Sequence, residues 1–461
     1  MPLFPQPTHL DALLRDPGLC CCPAAGTPGR RGGQRVRTVL RQRDFALLWF
    51  AGLVSLTGDW MLVVALPVAV YRLTGSALAT GGVLVANKLS ALVLGSVAGV
   101  FVDRWDRKRT MVVGNLVRAP VLLLLVAVDS AERVWIVYVV AAAVSAMGQF
   151  FRPAESALLP RLVGAEHLVP ANALNALNDN LSRLVGPALG GLVAAWFGLG
   201  GVAVVDAASF LVAAGMIAAI AAPTGPPRTA AKDAAAATRP GAAVWGEWLA
   251  GLRLIRDHPV LRVVFGVFAI ASLGEGVMQT AFWIYVDQSL GGGAREAGWL
   301  LSAQAVGGLV GAGVVGARFQ TRSPVALLGW GAIGLGLTDL VLFNYPAVVP
   351  GIWLGMALMT VGGVPATAFG TGYTGALQTE AADAYRGRVF GALGATSALF
   401  MIVGAAVAGL ATERLGAVAV LTVDSLAYIA AGAFALRTLA TRAATRLGRE
   451  APGGPKPTPP V

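Results

Sequence analysis

The fold is decided by Gly95-Ser-Val-Ala-Gly-Val-Phe-Val-Asp-Arg-Trp-Asp-Arg-Lys-Arg109. An apolar run ends at Val102, and a charge cluster follows at once: Asp103, Arg104, Asp106, Arg107, Lys108 and Arg109. A second apolar run, 110–128, starts directly after it. Two membrane-length segments joined by a short, mostly basic turn make a hairpin whose turn faces the cytoplasm.

Working outward, the composition agrees. The chain has 461 residues, of which 56% are hydrophobic and 13% charged, against about 25% charged in soluble domains. Its formal charge of +11 would suggest nucleic acid in a soluble protein. Here the basic residues sit in short loops, with no aromatic interleaving of the kind that stacks on bases, so no nucleic-acid partner is expected. Cys20, Cys21 and Cys22 are adjacent and suggest neither a disulfide framework nor, without a nearby histidine, a metal site. None of Lys88, Lys108, Lys232 and Lys456 is followed by Ser or Thr, so there is no phosphate-binding P-loop. No cofactor is expected.

Twelve apolar segments follow a basic leader: 45–71, 78–102, 110–128, 134–151, 172–197, 199–221, 260–288, 296–317, 324–343, 347–371, 387–412 and 416–438. Most reach the ~20 residues of a helical span. They are continuous runs, not the alternating pattern of a membrane barrel. Charge tests the count. If the turn at 103–109 is cytoplasmic, the loops on its side hold most of the arginines, among them Arg152, Arg161, Arg253, Arg256, Arg318, Arg322, Arg386 and Arg388. The other side holds only Arg72, Arg133, Arg295 and Arg414. This bias never reverses along the chain, and it places both termini in the cytoplasm of a multi-pass protein of the inner (plasma) membrane.

The segments divide the chain into a disordered basic leader (1–40), a six-helix half (41–221), a linker (222–258), a second six-helix half (259–440) and a disordered tail (441–461). Within the linker, Trp245, Trp248, Leu249, Leu252 and Ile255 share one helical face, which reads as a helix lying on the membrane surface. The halves look like repeats. An offset of 216 carries Gly58-Asp59 onto Gly274-Glu275, and an offset of 218 carries Gly186, Gly191, Gly198 and Asp206 onto Gly404, Gly409, Gly416 and Asp424. The fold class that follows is all-α: twelve transmembrane helices in two parallel-repeat halves, with a path between them.

The turn also carries a family signature. Gly99-x-x-x-Asp103-Arg104-x-x-Arg107-Lys108, between segments 2 and 3, resembles the loop motif of the major facilitator superfamily, with Asp106 where the motif has its second glycine. Asp tolerates a left-handed backbone better than most residues, so the bend is expected to survive. In segment 5, Gly186-Pro187-x-x-Gly190-Gly191 resembles the antiporter motif of major facilitator exporters. Arg43-Asp44-Phe45, Gly58-Asp59-Trp60, Arg152-Pro153-Ala154, Asn172-Ala173-Leu174-Asn175 and Gly387-Arg388-Val389 together resemble the macrolide-efflux and enterobactin-exporter branch. That resemblance, over residues 40 to 440, implies ion-driven export of drugs or siderophores. Within the loop motif, Asp103 is expected to brace an inner gate by facing the N-terminal end of segment 11 near Gly387, where the partial positive charge of a helix start favours a carboxylate.

Ionisable groups inside spans are costly and need a reason. Asp59 and Glu275 sit mid-depth in segments 1 and 7, and Lys88 in segment 2. Buried carboxylates can bind and release protons, so Asp59 and Glu275 are the candidates for proton coupling. Lys88 is expected to be an intramembrane ion-pair partner, of Asp59 in the neighbouring segment, which leaves Glu275 without a cation. Asp206 and Asp424 are read as charges near helix starts, while Arg118 and Asp339 are unassigned. His9, His167 and His258 are remote from these acids, which argues against an enzyme. The expectation is a monomeric transporter of a small molecule coupled to protons or another ion, the alternatives being lipid or lysolipid movement and a non-transporting receptor.

Overall fold

The computed structural model describes residues 38–102, 105–222, 253, 255–256, 258–319, 322–380 and 386–450. We number its long helices α1 (Arg43–Thr74), α2 (Ala77–Val102), α3 (Arg107–Leu123) and α4 (Val134–Val163). A continuous helical stretch, Leu168–Ala218, is broken at Gly198 (φ 66°, ψ −166°), and its arms are α5 (168–197) and α6 (199–218). The second half comprises α7 (Pro259–Leu290), α8 (Ala294–Arg318), α9 (Pro324–Asn344), α10 (Ile352–Glu380), α11 (Arg386–Leu415) and α12 (Ala417–Glu450). With the break counted, these are the twelve expected segments, and there is no strand among the described residues.

The helices form because their runs are apolar and their ends are punctuated. Gly75 (φ 63°) and Gly291 (φ 60°) end α1 and α7 in a left-handed conformation, each returning its N–H to a carbonyl of the last turn. That conformation costs a side chain-bearing residue about 1–2 kcal/mol. Gly198 and Gly416, the other repeat-related pair, also have positive φ. The repeat read from sequence therefore extends to the backbone angles of its turns.

Each half packs in the same way. α1 lies against α5 and α6, α2 against α4, and α3 against α6; α7 lies against α11 and α12, α8 against α10, and α9 against α12. The halves meet along two matching seams, α5 with α8 and α2 with α11. At the end carrying the α1–α2 and α7–α8 turns they are also hydrogen bonded. Ser76 Oγ donates to Glu413 Oε1 (2.8 Å), and Gln288 Nε2 donates to the Tyr71 hydroxyl (2.8 Å).

Two expectations change, and a third falls largely outside the described residues. Asp106 does not use a left-handed bend: it is extended (φ −69°) and caps α3, its carboxylate accepting from the Arg109 N–H at 2.8 Å. An aspartate at that position satisfies an open amide of the helix start, so the glycine is not needed. Helix α12 continues to Glu450, beyond the expected tail boundary at 441, because residues 439–450 are rich in helix-forming Ala, Arg and Leu. The proposed interfacial helix lies largely outside the described residues. Of its apolar face, Ile255 is described, and it is buried beside Leu261 and Val264. Residues 1–37 and 451–461 are outside the described residues too.

Candidate functional site

The site begins with two notches in the central helices. Gly58 of α1 leaves room for the Asp206 carboxylate from α6: a Cβ on Gly58 would collide with Asp206 Oδ1. Gly274 of α7 does the same for Asp424 of α12. The two notches are repeat equivalents. They overturn the reading of Asp206 and Asp424 as charges at helix starts, since both are drawn inward against a core helix. Asp206 is fully buried, with Ser209 Oγ donating to its Oδ1 at 2.9 Å. The signal was in the sequence: glycine and acid share the repeat, and the glycine is there for the acid.

In the first half a cation completes the cluster. Arg118 of α3 is buried, with its guanidinium over the rings of Phe210 (5.1 Å) and Phe151 (5.6 Å). Its charged neighbours are Asp59 and Asp206. Arg152 of α4 also reaches Asp59. The cation beside Asp59 is thus an arginine two segments away in the chain, and sequence proximity gave the wrong partner. The acidic neighbour of Lys88 is instead Glu275 of the other half. This corrects the expectation that Glu275 lacks a basic neighbour.

The second half has no cation of its own at this depth among the described residues. Asp339 occupies α9, the helix that corresponds to α3, and its charged neighbours are Asp424 and Glu275. Tyr428 is buried next to these acids and donates its hydroxyl to the Ala271 carbonyl (3.0 Å). Glu275 is exposed and accepts from Gln279 Nε2 at 2.8 Å. Glu275, Arg152 and Arg183 carry exposed charges within their helices.

The glycine motif of α5 has two faces. Gly186 and Gly190 let α1 approach, against Trp60 and Met61 respectively. Gly191 faces the other half, where a Cβ would strike the Ala294 and Arg295 backbone of α8, and Gly298 of α8 meets the Pro187 carbonyl in return. The repeat preserves this arrangement. Gly404 lies against Leu273 of α7, Gly409 against Leu78 of α2, and the Ala405 carbonyl against Gly81. The seam needs small residues and a close backbone, as helix pairs in lipid do.

Of the loop motif, Gly99 lies within α2, Arg107 is buried, and Lys108 Nζ donates to the Ile220 carbonyl at 2.6 Å. Asp44 complements it by accepting the N–H groups of Ala221 (3.2 Å) and Ala222 (2.9 Å). Together they pin the end of α6 to the starts of α1 and α3, a lysine on a helix C-terminus having the favourable sign. Asp103 and Arg104 lie outside the described residues. Of the histidines, His258 is 3.6 Å from Glu380 and His167 3.1 Å from Glu166, neither near the intramembrane acids.

Comparison with known proteins gives a consistent result. The chain is 26% identical over 404 residues to YfiS, an MFS-type transporter of Bacillus subtilis (strain 168), covering 85% of this chain and 90% of that protein. It is 28% identical to the multidrug efflux pump Tap of Mycolicibacterium fortuitum, covering 87% of this chain and 96% of the pump. A shorter match, 29% identical over 171 residues, reaches macrolide efflux protein A of Streptococcus pyogenes, covering 37% of this chain and 42% of that protein. The fold is similar to that of a bacterial homologue of the iron transporter ferroportin in an inward-facing state, with a TM-score of 0.65 at 14% identity, covering 85% and 98% of the two chains. Residues 37–450 match the family of transmembrane secretion effectors. The repeated six-helix halves, the glycine seams and this match together show that the chain belongs to the transmembrane secretion effector family of the major facilitator transporters, a family of multi-pass membrane carriers and not of enzymes.

Proposed function

We propose that this protein exports hydrophobic or amphipathic small molecules, of the drug, macrolide or siderophore kind, by proton-coupled alternating access. The observation that carries the reading is the Lys88–Glu275 juxtaposition. One charge belongs to each half, Glu275 being an acidic neighbour of Lys88, and their attraction favours the arrangement that keeps the halves together at mid-depth. Neutralising the charge at position 275 removes the attraction and lets the halves part, which biases the choice between two arrangements. Asp424 and Asp339 lie next to Glu275 and offer further carboxylates along which a proton can move. The first half, with Arg118 between Asp59 and Asp206, serves as the fixed frame.

The arginine distribution supports a cytoplasmic location for both termini, which puts the hydrogen-bonded end of the seam at the outer face. Reporter fusions after residues 130, 198 and 345 should read outside, and those after 107, 165 and 235 inside. The direct test is transport into everted membrane vesicles with and without a protonophore. Accumulation of candidate drugs should require the proton gradient. Accumulation that persists undiminished after the gradient is collapsed would remove proton coupling from this account.

A further inference from the structure

Arg183 is a cation at mid-helix whose contacts leave room for a ligand. It is exposed, with its guanidinium 5.7 Å from the Trp60 ring and Nη2 3.3 Å from Gln304 Oε1 of the other half. It makes no ion pair within 4.0 Å among the described residues, even with Asp179 one turn below it. The other intramembrane cations differ. Lys88 has Glu275 as a charged neighbour, Arg118 has Asp59 and Asp206, and Arg152 has Asp59 and Glu155. A guanidinium is a planar fork suited to a bidentate carboxylate, and a neutral amide satisfies it only in part.

The same segment borders an apolar recess. Leu184 follows Arg183, and Ala303 precedes Gln304; with Trp299, Val306 and Met356 they line a space of about 340 Å³ between α5, α8 and α10. Ser302 Oγ also lines it and is buried without a hydrogen-bond partner. Along α5 and α8 these residues lie within a few turns of the seam where Pro187 and Gly191 meet Gly298.

We propose that Arg183 binds the anionic group of an amphipathic organic acid whose apolar body fills the recess lined by Leu184, Trp299 and Met356. The inference rests on the export reading for its biological meaning, but its test does not. The probe is radiolabelled 1-naphthylacetate, with uncharged 1-naphthylacetamide as its near-isosteric control. Binding is measured by scintillation proximity to the full chain in phosphatidylcholine nanodiscs, where no gradient exists. Wild type should prefer the acetate by tenfold or more. Arg183→Gln should erase that preference while retaining acetamide binding, and Arg183→Lys should keep part of it. Equal wild-type affinity for acetate and acetamide would overturn the proposal whatever the variants do, as would an Arg183→Gln protein that still prefers the acetate. Loss of acetate binding in phosphatidylglycerol discs would assign the cation to a lipid headgroup and overturn the soluble-acid reading. Failure of gradient-driven transport, with this preference intact, would count against export alone.

Discussion

The two halves share a scaffold but carry charge in opposite ways. In both, a glycine of the central helix accepts a carboxylate from the sixth helix of its half: Gly58 with Asp206, and Gly274 with Asp424. In both, an acid follows that glycine, Asp59 or Glu275. The third helix of each half breaks the symmetry. α3 supplies Arg118, held between two phenylalanine rings, whereas α9 supplies Asp339. In the first half Asp59 and Asp206 share Arg118 as their charged neighbour. The second half gathers three acids and depends on Lys88 of the first half for an opposing charge. A repeat can thus keep its packing while its two halves carry different charges.

The sharpest way to break this contrast is to remove one acid from each half. Glu275→Gln mimics the protonated state permanently. It should abolish gradient-driven accumulation while sparing downhill counterflow, and vesicle assays run in both modes will tell; a variant that still pumps would end the proton-carrier role of Glu275. Asp59→Asn should act on stability instead. Breaking a buried charge pair costs about 3–5 kcal/mol, here by weakening the compensation of Arg118. Thermal unfolding in detergent should show a large loss that Arg118→Met partly restores and Lys88→Met does not. Rescue by Lys88→Met alone would return Lys88 to Asp59 and undo the assignment.

The glycine notches give an effect of middle size. Gly58→Ala and Gly274→Ala each place a methyl group where a carboxylate now sits, and overpacking costs about 1–3 kcal/mol. Equal destabilisation would confirm that the notch is common scaffold, but only Gly274→Ala should also disturb coupling, because it displaces Asp424 beside Glu275. The smallest effect concerns the latch between the α1–α2 turn and α11. Glu413→Ala removes the acceptor of Ser76 Oγ and should cost about 1 kcal/mol, read as a small shift toward the outward-open form in cysteine-accessibility measurements at the α1–α2 turn.

Much of this was legible in the chain alone. Run length and loop arginines yielded twelve helices and their order, because lipid leaves the backbone few options and charge is costly to move across it. The glycine punctuation marked the break at Gly198 and the close seams of Gly186, Gly190 and Gly191, since only a missing side chain allows those approaches. The repeat offset paired Gly58-Asp59 with Gly274-Glu275 and Asp206 with Asp424. It could not say that Asp206 rests in the Gly58 notch, because an offset relates positions between halves and not neighbours within one.

Charge partnership was decided by tertiary structure. Lys88 lies in the segment after Asp59, and proximity along the chain favoured that pair. Packing turns Lys88 toward Glu275 in the other half and brings Arg118 to Asp59. The rotation of each helix about its axis sets which side chains share the cavity, and that rotation comes from glycine notches and seams on several helices at once. An apolar span records its length and depth in its own residues. Which face of it meets a distant helix is recorded only in the assembled bundle.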